Sequence, residues 1–366
     1  MVRRQIWRYF DYWLFGAVIF LCIFGVIMVR SAVAGNAVLA GLPNRQIIWV
    51  GISLVVLLGT TLIDYHYWQS LARTMYIVTV LALVGIFIVG EAVYGSARWF
   101  DTGVIFIQPS EIAKIVLIMV LANYYAATQD DERNLLWIGK SFLVTLGIVV
   151  WILLQPNLST SIVMFVLWFA LLFVAGLPIK FLVSFGFGGL ALAAAAFPFL
   201  ENYQQQRILD FVMKDENARH GNTYNVEQAL ITIGNGGWFG LGYGHGTQVQ
   251  LHFLKVRHTD FIFSAIAEEF GFVGTVLLLA LLVFVIMRCL RVARRAADPF
   301  GAYLAYGVAV LLLFQTTVNV GVNLNLLPVT GLTLPFVSYG GSSLLSLMLG
   351  MGLVESVAAH SKPMEF

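Results

Sequence analysis

Asp260 is the residue from which the chemistry of this chain is best read. It closes the stretch Arg257-His258-Thr259-Asp260, directly before the apolar run that opens Phe261-Ile-Phe263. A carboxylate held there among Lys255, Arg257 and His258 could take the proton of an attacking hydroxyl. A general base needs such a group within hydrogen-bond reach of that proton. The commoner role of an aspartate at a helix start is a cap or a partner of the helix dipole. Glu268 and Glu269 follow about two turns into the same run. Ionisable groups at that depth are costly, so one of them is expected to face the interior or a basic partner.

A second charged constellation is Gln108-Pro109-Ser110-Glu111-Ile-Ala-Lys114. Pro109 suits a first helical position and Glu111 a first turn. Lys114 is harder to explain by helix chemistry alone. It lies about 7 Å further along the helix than Pro109, among apolar residues. Glu111 and Lys114 are three apart and can pair on one face. Arg98 stands just upstream.

Between these constellations, residues 234–246 hold seven glycines in thirteen positions. Glycine permits positive φ and close approach of backbone N–H groups to an anion, which would suit a phosphate or a sugar. Composition alone favours a series of flexible turns. Later, Asn319, Asn323, Asn325, Pro328, Gly331 and Pro335 lead into Ser338-Tyr-Gly-Gly-Ser-Ser343. That density of Pro and Gly predicts a broken or re-entrant backbone, or a kinked helix entry. Ser342 and Ser343 also fit as small helix-packing residues. No zinc spacing, Ser-His-Asp order or nucleotide-binding motif is present.

The elements that must position these residues are membrane spans. Of 366 residues, 60% are hydrophobic and 11% charged, against about 25% charged in soluble domains. This excludes a soluble enzyme, a disordered chain and a disulfide scaffold. The net charge of +2 is too small to imply a nucleic-acid partner. Cys22 and Cys289 lie in separate apolar runs, where a bridge is not expected. Ten apolar segments predict spans over 12–30, 46–63, 74–90, 109–127, 135–154, 160–176, 179–200, 262–287, 301–323 and 336–357. They do not alternate in polarity as barrel strands do. The expected fold is therefore an all-α integral membrane bundle of ten transmembrane helices, one polytopic domain over 1–366.

Orientation follows from lysine and arginine. With the N-terminus in the cytoplasm, twelve of them, from Arg3 to Lys362, fall inside. The short outer loops hold Arg30, Arg45 and Arg98. This obeys the positive-inside rule and puts both termini in the cytoplasm. Arg3, Arg4, Arg8 and Ala32-Val33-Ala34 imitate a signal peptide, but the apolar run is too long for one, so an uncleaved first span is expected. Residues 201–261 form one large extracytoplasmic loop. Its many apolar residues, Trp238 and Phe239 among them, predict short interfacial helices and turns on the bundle mouth rather than a disordered linker.

Taken together, four blocks in this order resemble the SEDS family (shape, elongation, division and sporulation), the RodA and FtsW proteins. They are Arg98-Trp with Gln108 to Lys114; Gly236-Gly-Trp-Phe-Gly to Gly246-Thr247-Gln248; His258-Thr-Asp-Phe-Ile-Phe263 with Glu268-Glu-Phe-Gly271; and Leu327-Pro-Val-Thr-Gly331 with Pro335 and Ser338 to Ser343. The start, Arg8-Tyr-Phe-Asp-Tyr-Trp, is closer to the RodA branch. The resemblance implies a peptidoglycan glycosyltransferase of the cytoplasmic (inner) membrane that polymerises lipid II during elongation and shape maintenance. A class B penicillin-binding protein (a transpeptidase) and other cell-wall elongation proteins would be its partners. The family's essential loop aspartate matches Asp260, and its Glu and Lys pair matches Glu111 and Lys114. Gln108, Thr247, Gln248, His258 and Ser338 become substrate-binding candidates. Two departures stand out. Gln155-Pro-Asn-Leu-Ser-Thr160 has Asn157 where the family often has aspartate. Leu254-Lys-Val-Arg257 is more basic than the usual run.

If the substrate is lipid II, its α-linked sugar carries a polyprenyl pyrophosphate and the product is β-1,4 linked. One inverting displacement then needs a base and positive charge for the leaving group. Asp260 is the expected base. Arg98, Lys114, Arg207, Lys255 and Arg257 are the expected phosphate partners, with a divalent cation (Mg or Mn) as a further one. Two other readings compete. A flippase or proton-coupled transporter needs charges near the midplane, whereas most polar residues here lie towards the outer face. A non-catalytic scaffold for a transpeptidase predicts that Asp260 is dispensable.

Overall fold

The computed structural model describes residues 7–361, apart from 90–91, 94–95, 98–99, 102–105, 156, 200–201 and 213–221. Helices dominate, because backbone groups in lipid must be satisfied within their own segment. They are α1 (Tyr12–Ala32), α2 (Leu42–Leu62), α3 (Tyr65–Val89), α4 (Pro109–Ala127), α5 (Leu135–Leu154), α6 (Leu158–Val174) and α7 (Ile179–Ala196). After a 3-10 turn follow α8 (Asn202–Val212), α9 (Asn222–Asn235), α10 (Thr247–Gln250), α11 (Ile262–Arg295), α12 (Pro299–Asn323) and α13 (Gly341–His360). The strands among the described residues are four two-residue segments before α4. β1 (Ala92–Val93) pairs with β2 (Ser96–Ala97), and β3 (Phe100–Asp101) with β4 (Phe106–Ile107), both antiparallel.

Eight of the described helices are long and apolar enough to cross a membrane, and α6 and α7 are shorter apolar helices. The chain is thus a multi-pass membrane protein. Each of the ten predicted segments overlaps a helix, with instructive differences at the ends. The segment expected from 74 begins at Tyr65, because Trp68, Gln69 and Arg73 extend the helix beyond its apolar stretch. α11 runs eight residues past 287 and ends on Arg294 and Arg295 in its last turn, where cations favour the helix dipole. The last helix begins at Gly341 rather than 336, since residues 328–340 are irregular.

Sequence chemistry sets the helix starts. Asp11, Asn134, Asn157 and Asp298 accept hydrogen bonds from Leu14, Trp137, Thr160 and Gly301 N–H at 2.9–3.3 Å, as capping residues do. Asn157 therefore serves as a cap, a role an amide fills as well as a carboxylate. The middle of the bundle is α4, α12 and α13. Within their most apolar windows 67%, 67% and 83% of residues are buried, against 22% in α3. α13 lies tightly on α2, and a Cβ at Gly352 would sit 2.7 Å from the Leu57 carbonyl. Small residues at such contacts let membrane helices approach closely.

Candidate active site at one end of the bundle

α11 is broken near its start, and the break organises this end of the molecule. Gly271 has φ 67° and ψ −167°, a conformation open to glycine and costly for other residues. The break strands helix carbonyls and N–H groups at membrane depth, where each needs a partner. The glycine-rich stretch supplies them. Leu241 and Gly242 N–H donate to the Glu268 and Glu269 carbonyls at 2.9 and 3.0 Å. Phe272 and Val273 N–H donate to the Gly237 and Trp238 carbonyls at 2.8 and 3.1 Å. Of the two readings of these glycines, the turn series is closer to what is seen, but the turns are ordered against α11. The Leu241 and Gly242 amides are engaged by protein rather than turned to an anion.

Glu268 and Glu269 are both buried, and neither has a basic ion-pair partner among the described residues. Glu268 accepts from Thr247 Oγ1 (3.1 Å), Gln248 N–H (2.8 Å) and Val249 N–H (3.1 Å). A carboxylate thus meets the exposed N–H groups of α10, where negative charge is favoured. Glu269 accepts from Ser31 Oγ on α1. Thr247 and Gln248 therefore hold α10 onto α11.

Asp260 lies half-buried at the head of α11. It does not cap the helix. Asn323 of α12 does so across the bundle, its Oδ1 accepting from Ser264 N–H (3.1 Å) and Ser264 Oγ (2.6 Å). The backbone leading to Asp260 is fixed at three successive carbonyls. His258 C=O accepts from Tyr339 N–H at 2.9 Å and Thr259 C=O from Ser338 Oγ at 2.8 Å. Asp260 C=O accepts from Asn319 and Asn323 Nδ2 at 3.0 and 2.9 Å. Burial pushes the Asp260 carboxyl up to about 6, against the pull of Arg207 and of a hydrogen bond from Thr259. His258 is pushed down, first by burial and then by Arg257.

The second constellation sits against the same frame. Lys114 Nζ donates to Glu111 Oε2 at 2.7 Å. Lys114 is fully buried and Glu111 is 8% exposed. Ser346 Oγ holds the Glu111 carbonyl at 2.6 Å, and Gln108 N–H donates to Ser342 Oγ at 3.1 Å. The first turns of α4 and α13 are thus laced together, and the loop before α13 is laced to residues 258–260. Ser342 acts here as an acceptor for α4 rather than only as a small packing residue.

The remaining candidates divide. Arg207 on α8 lines a cavity of about 210 Å³ with Asp210, Thr223, Glu227, Asn325 and Pro328. Ligand pockets are typically about 300–1,000 Å³, and this one is smaller. Lys255 is exposed, 5.5 Å from the centre of the Tyr224 ring. Arg257 is buried and its guanidinium is engaged by protein. It donates to the Ala32 and Leu254 carbonyls and lies against His252 Nδ1, which leaves it a positioning role. Ser338 likewise holds backbone. Arg98 lies outside the described residues. No group of three His, Cys, Asp or Glu among the described residues could hold a metal. No residue is assigned to the expected divalent cation. Sequence reasoning named Asn319 and Asn323 but missed that they hold the Asp260 carbonyl. Two amides one turn apart in an apolar helix were the available signal.

Fold and site together define a polytopic helical membrane protein with a half-buried carboxylate and a buried carboxylate–ammonium pair at one end of its bundle. Within that class, the chain belongs to the cell cycle protein family of FtsW, RodA and SpoVE, whose profile matches residues 12–363. It is 36% identical to the peptidoglycan glycosyltransferase MrdB of Escherichia coli K12, over 93% of this chain and 91% of that one. It is 33% identical to the probable peptidoglycan glycosyltransferase FtsW of Aliivibrio salmonicida, over 94% and 88%. Among solved structures it resembles a chain of a peptidoglycan synthase complex that coordinates polymerization and crosslinking. The TM-score there is 0.82 at 31% identity, over 96% and 99% of the two chains. It also resembles the rod shape determining protein RodA of Thermus thermophilus, with a TM-score of 0.72 at 31% identity, over 96% and 97%.

Proposed function

We propose that this protein is a peptidoglycan glycosyltransferase that joins lipid II units into β-1,4 glycan strands at the outer face of the bacterial inner membrane, in cell-wall elongation. The observation that carries the reading is Asp260. The backbone of residues 258–260 is fixed at three carbonyls, Asn323 rather than the Asp260 carboxylate caps α11, and that carboxylate lies in the field of Arg207. Family membership and relatives named as glycosyltransferases support the class of reaction. A class B transpeptidase is the proposed partner, since a similar chain works in a synthase complex.

The step is an inverting displacement. Asp260 takes the proton of the acceptor 4-hydroxyl as its oxygen attacks the anomeric carbon. The bond to the pyrophosphate breaks and the electron pair leaves with the phosphate. Arg207, whose charge already acts on Asp260, stabilises the charge that develops there, and the buried Glu111–Lys114 pair provides a second fixed dipole. Polyprenyl tails lie in grooves between helices. A cavity of about 800 Å³ lies where the end of α1, the loop after it and the start of α2 meet, beside Arg30. Ten spans, cytoplasmic termini and an extracytoplasmic 201–261 segment complete the proposal.

The test is polymerisation of labelled lipid II by the purified full chain, with and without its transpeptidase. Wild type is expected to form long glycan chains. Asp260→Ala, folded and binding substrate, is expected to lose about 10²–10⁴-fold in rate, the range of general-base catalysis. Equal rates would place the base elsewhere.

A further inference from the structure

α12 is apolar along most of its length but carries Asn319 and Asn323 one turn apart, 1% and 0% exposed. Burying an amide without partners costs about 1–3 kcal/mol, so what these side chains bind explains why the helix contains them. Asn319 Nδ2 donates to Asp260 C=O at 3.0 Å and to Leu332 C=O at 2.8 Å. Asn323 Nδ2 donates to the same Asp260 carbonyl at 2.9 Å and to Asn319 C=O at 2.9 Å. Asn323 Oδ1 accepts from Ser264 N–H and Oγ. Two amides therefore converge on one carbonyl, and a carbonyl oxygen has two lone pairs to offer.

Three consequences follow from this arrangement. With two donors on its oxygen, the peptide plane after Asp260 cannot rotate without breaking both bonds. That fixes the direction in which the Asp260 side chain leaves the backbone. Second, Ser264 is the third residue of α11, and its N–H is the group that a preceding capping side chain would bond. Asn323 holds it instead, and α11 has no side-chain cap from its own N-cap residue. Third, Asn319 ties the same peptide to Leu332, in the irregular segment that carries Ser338.

We infer that Asn319 and Asn323 are positioning residues of the glycosyl transfer, which orient Asp260 through its carbonyl, with Asn323 also capping α11, whose own N-cap residue Phe261 has no side-chain acceptor. The inference rests on the reading of Asp260 as the base.

The experiment measures kcat and KM for labelled lipid II with the full chain carrying Asn319→Leu or Asn323→Leu, substitutions that keep the branched shape in an apolar helix and remove its polar atoms. Thr316→Val, on the same helix, controls for general disturbance of α12. Misplacing a catalytic group by about 1 Å can cost about 10²-fold. The leucine variants are expected to fold, with an unfolding temperature below that of Thr316→Val because buried backbone groups lose partners, and to lose about 10- to 100-fold in kcat with KM within about threefold of wild type. Should a leucine variant fail to fold, Asn319→Ser and Asn323→Ser carry the same expectation. Ser338→Ala, which releases the neighbouring Thr259 carbonyl, is expected to lower kcat by a smaller factor. Folded asparagine variants with wild-type kcat would overturn the inference while leaving the base in place. Full activity in Asp260→Asn, measured in the same series, would overturn the base itself.

Discussion

At the scale of single residues, Asp260 makes the rate depend on pH. Its carboxyl is raised to about 6 because burial outweighs Arg207. The base must be ionised, so kcat/KM for polymerisation is expected to fall about tenfold per pH unit below that value and to level off above it. Arg207 holds the carboxyl down, so Arg207→Gln is expected to move the acid limb to higher pH. A pH–rate profile of both proteins checks the direction. Some of this chemistry was legible in the sequence. A spacing of three on one helix face already joins Glu111 to Lys114. The use made of a cation was not legible. Arg257 sits beside Asp260 in sequence and resembles a phosphate partner, yet backbone carbonyls of α1 and its own loop engage its guanidinium. An arginine fork binds carbonyls as readily as phosphates, and sequence spacing does not say which is nearer.

At the scale of elements, the glycine-rich stretch and the break in α11 are one structure. Composition pointed to flexible turns, and nothing local to 234–246 indicates that they close around a helix break some thirty residues later. Gly240 is where the two backbones meet. It has φ 80°, and an added Cβ would run into the Glu269 carbonyl. Gly240→Ala is therefore expected to destabilise the protein by about 2–5 kcal/mol, through positive φ and overpacking. A lower unfolding temperature and reduced yield of folded protein would show it. Gly186→Ala on α7, where a Cβ meets nothing within 4 Å, serves as the matched control.

At the scale of the whole molecule, the proposed topology places 201–261 outside the cell and the end of α11 inside. Cys22 and Cys289 are both buried, so a membrane-impermeant maleimide should meet little background in intact cells. Leu251→Cys, at a position 66% exposed, is expected to label from outside. Arg294→Cys is expected to label only after the membrane is opened. Labelling of Arg294→Cys alone in intact cells would reverse the topology, and labelling of both would put the end of α11 outside as well.

The sequence by itself determined that this is a helical membrane protein, roughly where its spans lie, and which short blocks hold polar residues among them. Those properties depend on apolar runs of bilayer length and on caps a few residues away, and both are local. The tertiary structure decided which polar groups serve the frame and which stay available. An aspartate at a helix start would ordinarily cap it, but Asn323 arrives from 59 residues away to cap α11. Two glutamates two turns into that helix face the interior as expected, yet what they hold there is α10 and α1. Such roles depend on which helix ends meet across the bundle, a matter of packing that no local pattern records.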